Sequence, residues 1–452
     1  MNLYTLLQKR AAEGRPVRAG LIGAGKFGSM FLAQARVIPG LQVMAVADLD
    51  VARAHQACAA TGWDAAQVAA GSFAEAYETG ATHLTDDVQG LIAADGLEVV
   101  IEATGDPAAG IAYAQAACRA GKHIVMVNVE ADVLAGPLLA EQARAAGLVY
   151  ALAYGDQPAL ICEMVDWARA SGLSVVAAGK GTKYLPEYHA STPETVWDYY
   201  GLTAEQAAAA GMNSKMFNSF LDGTKSAIEM AAVANATGLT PAPHGLTFPP
   251  VGAERLAEGL KPRAEGGALH HKGQVEVVSC LERDGSPVER DLRWGVYVVF
   301  EGPGPYTAHC FREYGLATDS SGRYASMYKP YHLIGLELPI SVLAAALRGE
   351  PTGSATGFRG DVAAVAKRDL QAGEVLDGEG GSTVWGRLMP AADSLAAGVL
   401  PIGLAHGVEV TRAVKTGQPL TWSDVAVDPA NAALRVRREM EAAFAGSAQA
   451  AE

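Results

Sequence analysis

Cysteine is scarce and scattered. Cys58, Cys118, Cys162, Cys280 and Cys310 are the only five, and no two stand in C-x-x-C spacing. That argues against a disulfide framework or a structural zinc site and fits reduced, mostly buried thiols in a cytoplasmic protein. Positive charge is in deficit as well, with 35 Lys and Arg against 49 Asp and Glu and a net charge of −14. A nucleic-acid partner is thereby disfavoured, because a phosphate footprint needs a basic face. Any anionic substrate must be met by a locally basic pocket. No run of about 18 apolar residues occurs, so no membrane span is predicted. The opening Met1-Asn-Leu-Tyr-Thr-Leu-Leu-Gln-Lys-Arg10 has neither an apolar signal core nor a small-residue cleavage pattern. A soluble, cytoplasmic chain is expected.

What is present is apolar bulk and glycine. Half of the 452 residues are hydrophobic, enough for two or three domains, since single cores stop growing at about 250 to 300 residues. The most informative stretch is Val17-Arg-Ala-Gly-Leu-Ile-Gly-Ala-Gly-Lys-Phe-Gly28, an apolar strand running into Gly23-x-Gly25-x-x-Gly28 and a helical pattern. Gly23 suits a tight turn, Gly25 close backbone approach to a pyrophosphate, and Gly28 close packing of helix on strand, with the anion at the helix N-terminus. Ala24, Lys26 and Phe27 share that turn. A second apolar run, Leu41 to Ala47, ends in Asp48, twenty residues after Gly28, where a carboxylate meets the adenosine ribose hydroxyls of a dinucleotide. A carboxylate there favours NAD and repels a 2′-phosphate, whereas Arg53 is near enough to offset the repulsion. A glycine-rich turn without a ligand is the bland alternative.

Helical segments at Val51–Ala60 and Ser72–Thr79, a strand at Glu98–Thr104, a helix from Pro107, a strand at His123–Asn128, a helix at Ala131–Ala146 and a strand at Leu148–Ala153 follow. This alternation predicts a doubly wound parallel Rossmann sheet, six strands complete near residue 153. Asp106-Pro107 reads as a cap with proline in the first turn, which puts Thr104 and Gly105 at the carboxyl end of a strand, where such sheets bind ligands. From 154 to 348 the pattern becomes α+β: a strand at Ser174–Ala178, a long helical stretch at Met212–Thr237, and antiparallel strands at Val275–Leu281 and Trp294–Glu301. Gly349 to Gly360 reads as a linker. A β-rich module with a charged helix at Ala430–Ala445 and a small-residue tail completes the chain to 452. Domains are thus expected at 1–153, 154–348 and 349–452.

The densest polar constellation is Lys215, Asn218, Asp222, Lys225 and Glu229, at steps of three, four, three and four. On one helix they line a single face between apolar flanks, which suits a stripe facing a pocket. Buried lysines and carboxylates need partners or a ligand and acquire proton affinities useful for acid/base work. A solvated face of ion pairs is the alternative. Lys180 and Lys183, in Gly179-Lys-Gly-Thr-Lys-Tyr184, can present ammonium groups to a phosphate. Arg323, Lys329 and His332, interleaved with aromatics, read as a lid or anion clamp. His270-His271 has the wrong spacing for one helix face.

Gly-Ala-Gly-Lys-Phe-Gly28, Glu102-Ala-Thr-Gly105 and Val127-Asn128 resemble the cofactor domain of homoserine dehydrogenases and related sugar oxidoreductases. Ala364-Val-Ala-Lys-Arg-Asp-Leu-Gln-Ala-Gly-Glu-Val-Leu376, echoed by Val410–Leu420, resembles the SAF module of sialic acid synthases and flagellar chaperones. With Gly155-Asp-Gln-Pro158, Gly179–Pro186 and the Asn213–Glu229 stripe, nearly the whole chain is similar to the deoxyxylulose phosphate reductoisomerase-like family. That resemblance implies an NADPH-dependent homodimer or higher homo-oligomer (with NAD as the alternative cofactor) converting 1-deoxy-D-xylulose 5-phosphate to 2-C-methyl-D-erythritol 4-phosphate in isoprenoid synthesis, or acting on a similar small phosphorylated hydroxy-carbonyl compound. It further implies that Asp222 and Glu229 hold Mg²⁺ or Mn²⁺, that Lys225 gives a proton to the developing alkoxide, and that Lys180, Lys183 and Lys215 neutralise the phosphate. Homoserine dehydrogenases place a lysine directly after the asparagine that follows their fifth strand, whereas Val129 and Glu130 follow Asn128, which weakens an amino-acid substrate. A homoserine dehydrogenase-like or other hydroxy-carbonyl dehydrogenase, and a non-catalytic cofactor-binding sensor whose SAF module recruits a partner, are the alternatives.

Overall fold

The computed structural model describes residues 2–448. The chain divides into two compact units, one of residues 1–160 and 333–356, the other of 161–332 and 357–452.

The first unit carries strands β1 (Val17–Ile22), β2 (Leu41–Ala47), β3 (His83–Thr85), β4 (Val99–Glu102), β5 (His123–Met126) and β6 (Tyr150–Leu152). All pair in parallel in the order β3-β2-β1-β4-β5-β6. The expected Rossmann sheet is present. Its least legible strand is β3, only three residues long and half-buried, too short for periodicity to show. Asp106 caps the helix Pro107–Arg119 by accepting from the N–H of Ala108 at 2.8 Å and of Ala109 at 3.0 Å. Asn128 does the same for the next helix, which runs Val129–Ala145 and so begins two residues before its expected start.

Division of the chain differs from the expected boundaries at 333–356. The helix Pro339–Arg348 places Val342, Leu343, Ala344 and Ala345 in one apolar core with Val17, Ala19 and Leu21 of β1. The Leu152 N–H donates to the Gly353 carbonyl at 2.8 Å, so the first part of the expected linker is ordered against β6. An amphipathic helix joins whichever core receives its apolar face, regardless of sequence distance.

The second unit holds a mixed sheet of β7 (Ser174–Thr182), β8 (Gln274–Ser279), β9 (Val296–Glu301) and β10 (Tyr324–Lys329) in the order β10-β9-β7-β8. β8 and β9, expected to pair, are instead separated by β7, which is parallel to β8 and antiparallel to β9. The long helical stretch is broken in two, Ser214–Leu221 and Thr224–Thr237. Gly223 stands between them at φ 89°, a left-handed conformation that ends a helix and suits glycine. The five-residue stripe therefore does not lie on one helix.

The β-rich part of this unit contains β11 (Gly360–Ala366), β12 (Val375–Asp377), β13 (Val384–Pro390), β14 (His406–Val410) and β15 (Val425–Ala426). β11 pairs antiparallel with β13, and β12, β14 and β15 form a second small sheet. The two similar phrases meet one another: Leu370 and Val414 exchange backbone hydrogen bonds of 2.8 and 3.0 Å. The C-terminal helix runs Ala432–Ala448, anchored by the buried ion pair of Arg437 with Asp361 at 2.6 Å. The last four residues of the small-residue tail lie outside the described residues. No helix among the described residues is long and apolar enough to cross a membrane.

Candidate functional site

In the first unit the glycine turn is built as its spacing predicts. Gly23 sits at φ 99° at the end of β1, and a Cβ added there would strike the Ala103 carbonyl. Gly25 is extended and caps the helix Lys26–Ala35. A Cβ on it would meet nothing within 4 Å, so the backbone is open to close approach. Gly28 faces the Gly23 carbonyl so closely that no side chain fits. Lys26 and Phe27 form the first turn of that helix, whose free N–H groups suit an anion.

Asp48 is buried and holds the turn. Its Oδ2 accepts from the Ala24 N–H at 2.8 Å and from Arg53 Nε at 3.1 Å, while its Oδ1 accepts from the Asp50 N–H at 2.9 Å and from Arg53 Nη2. Burial alone would raise its carboxyl, but Arg53 and the two N–H groups outweigh it and hold it below the usual range. The Arg53 side chain itself is 54% exposed. Thr104 and Gly105 stand directly after β4, and Asn128 after β5, with its amide spanning from the Asp106 carbonyl to the Ala131 N–H. Glu102, read in the sequence only as part of a motif, is wholly buried. Its Oε1 accepts from the Thr104 N–H and hydroxyl, and burial pushes its carboxyl up to about 7. Asp132, also buried, is pushed up to about 7 by the same cause and accepts the Tyr150 hydroxyl at 3.0 Å.

In the second unit the stripe divides. Lys215 donates to the Asp377 carbonyl. Asn218 Nδ2 donates to the carbonyls of Ser191 at 3.1 Å and Gly380 at 2.9 Å, and its Oδ1 accepts the Ser191 hydroxyl at 2.6 Å. Asp222 pairs with Lys367 at 2.7 Å, both side chains fully enclosed at 0% and 2% exposure. These three stripe residues face the 377–381 loop and β11 flank of the SAF-like region, not an open pocket. Past the break, Lys225 is half-buried in the first turn of Thr224–Thr237 and Glu229 is buried one turn on. Glu229 forms a buried ion pair with Lys180, which lies within β7 and not in a loop after it.

A divalent cation does not fit Asp222 and Glu229 as the pair that holds it. Each carboxylate already has a lysine ammonium against it, and an ammonium repels a second cation. Among the described residues no three His, Cys, Asp or Glu side chains converge as a metal site would need. Lys183 donates to the Tyr199 carbonyl and lies 5.3 Å from the Tyr200 ring. Burial and then the Arg293 charge press its ammonium below the ordinary value. Arg323 is engaged by Glu265 and Glu301, Lys329 lies 5.2 Å from the Tyr331 ring, and His332 Nδ1 is 2.8 Å from the Trp294 carbonyl. The expected lid is thus β10 and its flanks, a sheet edge.

Sequence reasoning passed over Tyr184 and His189. The Tyr184 hydroxyl lies 2.9 Å from His189 Nε2, and His189 Nδ1 lies 2.7 Å from the Asp222 carbonyl. Tyr184 stacks on Phe248 and His189 on Trp385. No local spacing flags this group, because its members come from β7's exit, the 3₁₀ turn Pro186–Ala190, the helix break and β13.

Comparison with known proteins gives three consecutive family matches along the chain. Residues 19–152 match the family described as homoserine dehydrogenase, NAD binding domain. Residues 155–338 match oxidoreductase DRL, catalytic domain, and residues 361–426 match the SAF domain. No curated protein matches the chain. Among solved structures, an NAD binding oxidoreductase from Klebsiella pneumoniae is 20% identical over 38% of this chain and 44% of its own, with a TM-score of 0.28. A myo-inositol dehydrogenase from Lactobacillus casei is 16% identical over 40% of this chain and 50% of its own, with a TM-score of 0.28. The chain thus spans about half the length of these two. A putative myo-inositol dehydrogenase from Sinorhizobium meliloti 1021 is 13% identical over 74% of this chain and 90% of its own, with a TM-score of 0.35. The first two matched domains are those of an NAD(P)-dependent oxidoreductase, and an SAF domain follows them.

Proposed function

We propose that this chain transfers hydride between NADP(H) and a small phosphorylated hydroxy-carbonyl compound, with 1-deoxy-D-xylulose 5-phosphate, whose carbon skeleton must rearrange before reduction to 2-C-methyl-D-erythritol 4-phosphate, as the first substrate to test. The observation that carries the reading is the turn at Gly23–Gly28, open over Gly25 and followed by free helix N–H groups. When bound there, the nicotinamide cofactor supplies the hydride. NADP(H) is favoured because both Asp48 oxygens already accept two hydrogen bonds each, two of the four from Arg53, whose remaining N–H groups on a half-exposed guanidinium suit a 2′-phosphate.

Lys183 and Arg293 support an anionic substrate. Their charges lie close enough to depress the lysine, and a phosphate between them would relieve that repulsion. Lys180 is paired with Glu229, and Lys183 and Lys215 each give one of three N–H donors to a backbone carbonyl; in this reading Lys183, with Arg293 near it, takes the phosphate role expected of all three. Lys225 stands one turn before Glu229 and is the proposed donor to the developing alkoxide. No cation-dependent rearrangement step is drawn, since Asp222 and Glu229 do not suit a metal. Self-association is part of the proposal, supported by the exposed rings of Trp294, Tyr306 and Tyr314 and tested by light scattering of the full chain.

The deciding experiment is a panel of phosphorylated aldoses and ketoses, each offered with NADPH and NADH, with and without Mn²⁺. Consumption of reduced nicotinamide with a phosphorylated member, surviving chelation, is expected. Equal rates with the dephosphorylated sugar would overturn the anionic substrate, and no nicotinamide binding at all would overturn the redox reading.

A further inference from the structure

We propose that Glu102 is a positioning residue of the nicotinamide site, that it sets the Thr104–Gly105 turn beside the Gly23–Gly28 turn, and that its carboxyl gives up a proton when the oxidised cofactor binds. This rests on the nicotinamide-cofactor reading given above, and every residue in it belongs to the first unit.

Sheet order places Glu102. In β3-β2-β1-β4-β5-β6 the order reverses between β1 and β4, and a dinucleotide crosses the sheet at that point. Its pyrophosphate meets the turn after β1, its adenosine half lies toward the exit of β2, and its nicotinamide half lies toward the exits of β4 and β5. Glu102 is the last residue of β4, beside Ile22 of β1 and Met126 of β5. The two turns touch: the Ala103 N–H donates to the Ile22 carbonyl at 2.9 Å, and a Cβ on Gly23 would lie 2.5 Å from the Ala103 oxygen. Thr104 and Gly105 are exposed, as are Gly25 and Lys26.

The Glu102 side chain ties its exposed turn to the interior. Oε1 accepts from the Thr104 N–H at 3.0 Å and from the Thr104 hydroxyl, so the carboxyl sets the direction in which that turn faces. Oε2 is enclosed, and among the described residues no full hydrogen bond reaches it. Asn128 Nδ2 flanks Gly110 together with Oε2, since a Cβ on Gly110 would lie 2.9 Å from the amide nitrogen and 3.0 Å from the oxygen. That amide donates instead to the Asp106 carbonyl at 2.8 Å, and its pull on the carboxyl is smaller than the burial that raises it to about 7. An enclosed oxygen without a donor favours the neutral acid, with the proton on Oε2. The titratable groups facing it are Asp106 in the turn, whose charge opposes ionisation, and Tyr150 of β6, which donates to Asp132 of the helix Val129–Ala145. None of these is a cation.

Oxidised and reduced nicotinamide differ by one positive charge on the ring, which the oxidised form alone carries. A positive charge nearby favours the carboxylate. When the oxidised form binds, the Oε2–H bond breaks, its electron pair stays on the carboxylate and the proton goes to solvent. The reduced form leaves the proton in place. By linkage, the oxidised cofactor then binds more tightly relative to the reduced one as pH rises.

Calorimetric titration of the full chain with NADP⁺ and with NADPH, each in two buffers of different ionisation enthalpy, counts the protons. The 2′-phosphate also titrates near neutrality, but both cofactors carry it and it cancels in the difference. At pH 7 NADP⁺ should release about 0.4 proton more than NADPH, and from pH 6 to 8 its Kd relative to that of NADPH should fall about fivefold, as for a carboxyl whose proton affinity drops tenfold. Equal release by both cofactors overturns the proposal without any variant. Glu102→Gln keeps the acceptor for Thr104 and cannot titrate, so the Kd ratio should become independent of pH, with NADP⁺ about ninefold weaker than in wild type at pH 8 and NADPH unchanged. Asp132→Asn removes the other carboxyl raised to about 7 and should keep the wild-type slope; loss of the slope there, and not in Glu102→Gln, assigns the proton to Asp132 and overturns the proposal. Glu102→Ala, which drops Thr104, should weaken both cofactors about tenfold at pH 6, and Glu102→Gln should restore them. Equal binding by the Ala and Gln variants at that pH overturns the positioning role and leaves the cofactor reading standing. A wild-type chain that binds neither nicotinamide overturns that reading, and Glu102's role with it.

Discussion

Replacing Lys367 by methionine keeps most of the side chain's volume and removes its charge together with its N–H donors. The ammonium sits among Asp222 and two peptide carbonyls with 2% of the side chain exposed, and Asp222 has no solvent contact. Water therefore cannot replace it. A buried carboxylate left without its counter-ion costs about 3 to 5 kcal/mol, to which two unfilled carbonyls add. Burial already pushes the Asp222 carboxyl up against the opposing pull of Lys367. In Lys367→Met the carboxyl should take a proton at neutral pH, which caps the loss. The second-site variant Asp222→Asn supplies that neutral form permanently and keeps the acceptor for the Thr224 N–H, which Asp222 Oδ1 binds at 2.9 Å. The expected pattern is a single-variant loss of several kcal/mol, much of it recovered in Lys367→Met/Asp222→Asn, with a coupling energy of about 2 to 3 kcal/mol. Urea unfolding followed by tryptophan fluorescence and near-ultraviolet dichroism reads all four corners of the cycle. A Lys367→Met loss below about 1 kcal/mol, or a double variant as unstable as the sum of the two singles, would refute the buried pair.

The glycine turn separates binding from folding. Gly25→Val should abolish nicotinamide binding, read by nucleotide fluorescence, with melting unchanged, because its side chain enters open space. Gly28→Val should unfold the first unit, because its Cβ has no room beside the Gly23 carbonyl. Arg53→Ala should weaken NADPH by about 1 to 3 kcal/mol, as for a lost charged hydrogen bond, and spare NADH; equal titrations for both cofactors would remove Arg53 from the site. Asp132 gives a pH test. Its ordinary carboxyl value is 3.8 and burial raises it to about 7, so between those values the folded chain keeps a proton the unfolded chain has lost. Stability from this group is full below the lower value and is lost as pH rises through the upper one, a change of a few kcal/mol at most. Asp132→Asn should therefore raise the melting temperature at pH 8 and leave it unchanged at pH 4; a pH-independent difference would show that the carboxyl does not titrate there.

The cofactor turn was legible because its requirements are local. Gly23, Gly25, Gly28 and Asp48 belong to one β-α-β unit, so their spacing along the chain is their spacing in the fold. The strands β1 and β2 are apolar runs bounded by turn residues, and β2 begins and ends where its hydrophobic run does. β3 and the attachment of Pro339–Arg348 to the β1 core were hidden for opposite reasons. One is too short to have a period, and the other finds its core after an intervening segment, residues 161–332, that belongs to the other unit.

The stripe shows how a correct local pattern can carry a wrong geometry. Steps of three and four between Lys215 and Glu229 hold on a continuous helix, but Gly223 at φ 89° restarts the helix and resets the phase. Two sets of partners then claim the two halves. Lys215, Asn218 and Asp222 are claimed by the Asp377 and Gly380 carbonyls and by Lys367, more than 140 residues later, while Glu229 is claimed by Lys180 from β7. Burial of these groups was foreseeable from the apolar flanks; the identity of their counter-charges was not, since any distant lysine meets the electrostatic need equally well. The carboxylates that sequence assigned to a metal are satisfied by ammonium groups instead. A peptide carbonyl at the break, that of Asp222, lies 2.7 Å from His189 Nδ1 and leaves Nε2 facing Tyr184. A backbone group has no signature in the amino-acid sequence, so a site organised around it becomes visible only when the chain is folded.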